Sequence, residues 1–241
     1  MPDKRLHRGP HPEDAGLFVP EARPRLRSAT SDLSWLLTHG YSMVSALKLV
    51  GDRYQLEERQ RLAVMRSACS DSARQRRLSH QVHPVKLAGQ LLPIDGYNLL
   101  TSVEAALGGG VLLLARDGCF RDLASMHGTY RKVAETIPAL KLIGHYLQGI
   151  HVRGCLWYLD SPVSNSGRLK TIIVEVATQA GWDWQVELVQ NPDPILAAAD
   201  DFIATADSVI LDQSRRWINL AREVIASNIP DANVVDLSGP P

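Results

Sequence analysis

No apolar stretch of this chain approaches the roughly 20 residues that a membrane-spanning helix needs. The longest candidate, Gly110 to Ala115, is strand-sized. The opening Met-Pro-Asp-Lys-Arg-Leu-His-Arg has no apolar core behind it, so it does not read as a secretory signal. Cysteine is sparse: Cys69, Cys119 and Cys155 are scattered with no paired spacing. That argues against a disulfide framework and against a cysteine zinc site, and it fits a reducing, cytoplasmic setting. The Gly-x-x-x-x-Gly-Lys-Ser/Thr phosphate loop is missing, which speaks against a nucleoside triphosphatase of that type. There is no dinucleotide Gly-x-Gly-x-x-Gly either; Gly108-Gly109-Gly110 precedes an expected strand instead of following one. No Gly-x-Ser-x-Gly nucleophile motif appears, and Cys119 has no evident base paired with it in sequence. Internal repeats and low-complexity tracts are also lacking.

What is present is a chain of 241 residues with ordinary apolar content, enough for one good-sized domain or a small one plus a medium one. Its zero net charge conceals an asymmetry. Residues 1–88 carry 15 Lys and Arg against 9 Asp and Glu, and residues 89–241 carry 11 against 17. Such a split suits capture of a polyanion by one part and of cations by the other, although small domains also differ this much by chance.

Residues 1–30 are rich in Pro, Arg and His without periodicity, and are expected to form a flexible or loosely docked arm. Residues 31–88 are expected to be helical. Ser31-Asp32 can cap a helix through Thr38, ended by Gly40; Ser42 can cap a second, broken at Gly51-Asp52; a third runs from Leu56 to Cys69. Arg59 and Arg66 share a side of the third, and Arg74, Arg76 and Arg77 follow. This order fits a helix-turn-helix as well as a small helical cap with solvated arginines.

From residue 89 strands and helices alternate, which predicts an α/β domain with a mostly parallel, doubly wound, Rossmann-like sheet. Strands are expected at Leu91–Ile94, Val111–Ala115, Cys155–Leu159, Gln185–Val189 and Phe202–Thr205, with additions near Ser208–Leu211 and Asn233–Leu237. Helices are expected at Thr101–Leu107, Lys132–Gln148, Gly167–Gln179, Asp193–Ala199 and Arg216–Ala226.

Four apolar runs end in aspartate: at Asp95, Asp117, Asp160 and Asp207, with Asp212 five residues after the last. Strand ends of a parallel sheet line up along one edge, where ligands bind. Carboxylates gathered there repel one another unless a cation sits among them. Mg²⁺ or Mn²⁺ suits such a set. Each aspartate alone is equally what a helix N-cap or turn uses.

Two further clusters stand out. Ser164, Asn165 and Ser166 precede a helix whose first turn holds Arg168 and Lys170, a helix start able to receive phosphate or simply a capped one. Arg121, His127, Tyr130, Arg131 and Lys132 populate a polar segment after the second strand. All five are candidates for contact with a phosphodiester backbone, with Tyr130 able to stack on a base and His127 to carry a proton. An ordinary surface loop accounts for the same residues.

The segment Ile94-Asp95-Gly96-Tyr97-Asn98 resembles the opening motif of the NYN and PIN-like nucleases, and Thr205-Ala206-Asp207-Ser208 is similar to their Thr-x-Asp segment. Asp160 matches their middle-strand aspartate. Roughly residues 30–225 also resemble an uncharacterised prokaryotic family, a helical domain of unknown function followed by an α/β one. The nuclease resemblance implies a metal-dependent phosphodiesterase acting on nucleic acid, RNA in preference to DNA, with Asp95, Asp160 and Asp207 as ligands. Asp117 and Asp212 would be ligands or neighbours of ligands, Asn98 would orient a ligand or water, and Arg121, Arg168 and Lys170 would hold phosphates. Glu104 or Glu135 is the candidate for the helical glutamate that PIN-like domains often carry. The alternatives are a non-catalytic nucleic-acid- or partner-binding protein with a degenerate site, and a small-molecule phosphohydrolase using the same carboxylates.

Overall fold

The structure, a computed structural model, describes residues 6–124 and 128–239. A single turn, α1 (Asp14–Leu17), leads into α2 (Arg23–Thr38), α3 (Met43–Arg53), α4 (Glu58–Ser67) and α5 (Asp71–His80). Local chemistry sets their starts. Ser42 and Ser70 accept the backbone N–H three residues on, and Glu57 with Gln60 forms a reciprocal capping box. Proline at the first turn of α2 lacks only an N–H that the helix would leave free.

The α/β part follows as β1 (Leu91–Asp95), α6 (Gly96–Leu107), β2 (Leu112–Leu114), β3 (Phe120–Asp122), α7 (Thr136–Gly149) and β4 (Gly154–Asp160). It continues through α8 (Ser166–Ala180), β5 (Trp184–Val189), α9 (Pro192–Ala197), β6 (Ile203–Ala204), α10 (Ser208–Leu211), β7 (Trp217–Ile218), α11 (Leu220–Asn228) and β8 (Val234–Asp236). Five strands form an all-parallel sheet in the order β5-β4-β1-β6-β7. From central β1 the chain builds outward through β4 and β5, then crosses back to add β6 and β7. The reversal falls between β1 and β6, where doubly wound sheets open a crevice. The expected architecture is therefore the observed one.

Helices cover both faces. On one, Ile94, Trp157 and Leu159 pack with α6, α7, α8 and α11; on the other, Ile203, Trp217 and Leu196 pack with the short helices α9 and α10. β2 and β8 fall within the strands expected at 111–115 and 233–237, but they do not join this sheet. β2 pairs antiparallel with β3 and parallel with β8 in a separate three-stranded sheet. Its Val111, Leu113, Val235 and Leu237 share a core with Leu26, Ala29, Leu33 and Val64 of the helical part. The second sheet thus completes the core of the N-terminal helices.

Several expectations are corrected. Most of the supposed arm is ordered: α2 begins at Arg23, and Arg8 is pinned to Glu104 of α6, with Nη2 to Oε2 at 2.8 Å. Ser31-Asp32 lies inside α2, and α3 runs through Gly51-Asp52 without a break. Ser208–Leu211 is helical because Asp207 caps it, accepting from the N–H groups of Val209 and Ile210. The helix after β1 starts at Gly96, directly behind Asp95, so the carboxylate stands where strand turns into helix.

Candidate acidic edge and adjoining cleft

The register of β1 sets the site. Asp95 lies level with Tyr158 on β4, which places Asp160 two residues farther along the neighbouring strand and on the same face. On the other side Ile94 is level with Ala204, so Thr205, Ala206 and Asp207 continue past the sheet edge beside Asp95. Thr205 Oγ1 donates to Asp95 Oδ2 at 2.8 Å and accepts the Asp207 N–H at 3.0 Å. Asn98, in the first turn of α6, accepts the Ala206 N–H on Oδ1 at 3.0 Å. The Asp-Gly-Tyr-Asn and Thr-x-Asp segments thereby lock together across the switch point.

Asp95 is buried, and its carboxyl is pushed up to about 7. Desolvation is the main cause; the Thr205 hydroxyl opposes it, and the charges of Asp207 and Asp193 add to it. Burial also raises Asp160, with Asp193 adding, and raises Asp193, with Asp207 adding. Asp193 was missed as a site residue. It stands in the first turn of α9, four residues past β5 and behind Gln190-Asn191-Pro192, so the pattern of an apolar run ending in aspartate does not reach it. Four carboxylates therefore lie along this edge, Asp193 acting on both Asp95 and Asp160, and Asp207 on both Asp95 and Asp193. They are not a closed cage. A two-residue offset between adjacent strands separates the Cα atoms of Asp95 and Asp160 by about 8 Å. Among the described residues no three His, Cys, Asp or Glu side chains converge tightly enough to hold one ion directly.

Two expected ligands sit elsewhere. Asp117 follows β2, on the second sheet, and is held between Arg77 (Nη1 to Oδ2, 2.7 Å) and Arg121 (Nη2 to Oδ2, 2.7 Å). Burial alone would raise its carboxyl, but the Arg121 and Arg77 guanidiniums overcome that and hold it well below the usual carboxylate range. Asp212 receives Arg77 Nε at 2.7 Å. These aspartates neutralise arginines, and the proposal that they ligate a metal is corrected on that ground. Arg121 is correspondingly spent: besides Asp117 it donates to the carbonyls of Ala206 and Arg66. Its role is to tie the second sheet to the edge of the first. On the basic helix α4, Arg59 pairs with Asp14 and Arg61 with Asp52.

Tyr130 does not offer its ring to a base. It is buried and donates its hydroxyl to Glu104 Oε1 at 2.6 Å, alongside Thr136 Oγ1 at 2.6 Å. Glu104 is thus enclosed by Arg8, Tyr130 and Thr136, and Glu135 accepts from the Arg8 backbone, so neither glutamate faces the acidic edge. At the start of α8, Asn165 Nδ2 donates to the Tyr130 carbonyl and buried Ser166 to the Ser161 carbonyl. Ser164 exchanges backbone hydrogen bonds with residues 128 and 130. Arg168 joins Arg131 and Lys132 around a small hollow there, on the face of the sheet away from Asp95, whereas Lys170 is simply exposed. His127 lies outside the described residues.

Beside Asp207 a cleft of about 510 Å³ opens between the helical part and the sheet edge. Asn98, Asp207 and Ser208 line it, together with Arg66, Arg77 and Arg121. Leu37, Met43, Met65 and Ala73, from α2, α3, α4 and α5, add apolar lining. Cys69 also reaches it, but burial pushes its thiol up to about 11, which leaves it protonated and unsuited to nucleophilic attack at neutral pH.

This is the architecture of an open α/β protein with an acidic edge and a helical cover. Comparison with known proteins places the chain in a family. A domain of unknown function, DUF5616, matches residues 84–223, and a protein of unknown function, DUF434, matches residues 25–80. The chain belongs to the DUF5616 family and carries the DUF434 segment ahead of it. A relative, uncharacterized protein MJ0935 of Methanocaldococcus jannaschii, is 30% identical over 186 residues, 77% of this chain and 88% of its own. No solved structure matches.

Proposed function

We propose that this protein is a divalent-metal-dependent phosphodiesterase acting on nucleic acid, RNA in preference to DNA. One observation carries the reading: four carboxylates follow the strands along one edge of a parallel sheet, Asp193 acting on Asp95 and Asp160 and Asp207 on Asp95 and Asp193, and burial pushes Asp95 up to about 7. A cation is what would relieve such repulsion. The donors are all hard oxygens, which fits Mg²⁺ or Mn²⁺. These ions take one or two carboxylates directly and keep waters and substrate phosphate for the rest, so the open spacing suits them. Asp95 and Asp207 would hold such an ion, with Asp160 and Asp193 reaching it through water. Bound there, it would supply a water of lowered pKa and neutralise charge on the phosphate.

The chain's own groups have separate tasks. The Thr205 hydroxyl would fix the orientation of the Asp95 carboxylate by donating to Oδ2. Asn98, its carbonyl committed to the Ala206 N–H, has its amide N–H groups left to orient a water or phosphate oxygen at the cleft. The preference for RNA follows the resemblance of Asp95-Gly96-Tyr97-Asn98 and Thr205-Ala206-Asp207 to the NYN and PIN-like nucleases.

Adding Mn²⁺ in place of EDTA is expected to raise the melting temperature, by about 2.7 kcal/mol of added stability at a hundred times the Kd. Asp95→Asn is expected to abolish Mn²⁺-dependent cleavage of a panel of RNAs while keeping the fold. A variant that cuts like the parent removes the assignment. The second reading, a non-catalytic binding protein, is favoured by the absence, among the described residues, of three converging ligands. It predicts no thermal shift at millimolar Mn²⁺.

A further inference from the structure

Three arginines line the cleft beside Asp207, and only two of them are neutralised. Arg77 and Arg121 share Asp117, whereas Arg66 has no acidic partner among the described residues, and its Nε is buried with no acceptor. A guanidinium that lines a cleft without a carboxylate partner answers best to a carboxylate or phosphate presenting two oxygens. The same cleft has apolar lining from Leu37, Met43, Met65 and Ala73, and methionine thioethers adapt to the faces of flat rings. A ligand that satisfies this cleft is anionic at one end and flat and apolar at the other, and it touches Asp207.

We infer that the cleft seats one unpaired nucleotide of a single-stranded nucleic acid, with its base against the Met43–Met65 wall and its phosphate on Arg66. The adjoining phosphodiester then lies over the acidic edge. A cleft of about 510 Å³ is within the range of small-molecule sites. A base in a duplex has both faces covered by its neighbours and must be flipped out before it can pack on such a wall. The helical segment thus sets strandedness, and the sheet edge carries the chemistry. This inference rests on reading that edge as a phosphodiester centre.

The test is a titration in EDTA, where no cleavage intervenes. Fluorescence anisotropy compares a labelled single-stranded RNA with the same strand annealed to its complement. The parent is expected to prefer the single strand. Arg66→Met should weaken that binding about tenfold and lower the salt slope by about 1. Ala73→Trp fills the cleft while leaving Arg66 and the acidic edge in place; it should weaken binding yet keep the thermal response to Mn²⁺. Equal affinity for duplex and single strand overturns the inference, as does parental affinity in either folded variant, or no binding by the parent. Should Arg66→Met fail to fold, Ala73→Trp and the duplex comparison still decide. Loss of the phosphodiesterase reading shows separately, as single-strand binding in EDTA with no cleavage under Mn²⁺.

Discussion

At the scale of single residues, Asp95 and Asp117 show how place decides what a carboxylate does. Both follow apolar strands, and both are buried. Asp117 meets two guanidiniums and is held ionised; Asp95 meets one hydroxyl and the field of other acids, and resists ionising. The linkage has a definite sign. Native Asp95 titrates near 7 and an unfolded aspartate near 3.9, so the native state binds more protons between those values. Stability therefore falls as pH rises from about 4 to about 7, by up to a few kcal/mol at roughly 1.4 kcal/mol per unit. Asp95→Asn removes the titrating group. In EDTA it is expected to match the parent near pH 4 and to exceed it at pH 8, as read by melting temperature across pH. A difference that does not change with pH would contradict the burial of this charge.

Among the elements, the join between β1 and α6 constrains the site most. Gly96 opens α6 against β4. A Cβ there would stand 2.8 Å from the Tyr158 carbonyl oxygen and 2.6 Å from Leu159 Cδ2. The leucine can shift, but the carbonyl belongs to the β4 backbone that sets the position of Asp160. Gly96→Ala is expected to cost about 1–3 kcal/mol of stability, measured by urea unfolding, because helix and strand must part to admit a methyl group. An unchanged midpoint would mean that the approach is looser than described. The glycine of Asp-Gly-Tyr-Asn is thus required by packing at the same place where its neighbour Asp95 joins the acidic edge.

Across the whole molecule, the N-terminal segment is a structural tie. Arg8 is the only cation against the fully buried Glu104 among the described residues, and burial raises that glutamate even with Arg8 beside it. Arg8→Met leaves an uncompensated buried acid. The expected loss is about 3–5 kcal/mol at pH 8 and less at pH 5, where Glu104 can take up a proton. Chemical denaturation at the two pH values checks it; equal losses would show that the pair contributes packing alone. The helical part is equally bound in, since its core is finished by Val111, Leu113, Val235 and Leu237 from the far side of the chain.

What the sequence determined by itself was local and periodic. Alternating apolar runs and helical stripes revealed the α/β class, most of the strands, the Ser42 cap and the aspartates at the ends of β1, β4 and β6. Those signals lie within a few residues of one another, so propensity and pattern carry them. Tertiary structure alone decided which strands share a sheet. On that choice hangs whether an aspartate after a strand joins Asp95 or is neutralised by arginines, as Asp117 is. Pairing between residues 40 to 135 positions apart, such as Arg77 with Asp117 and Asp212, leaves no trace in local pattern. The same is true of burial, which turned Tyr130 and Arg121 inward and left Arg66 facing the cleft without an acid.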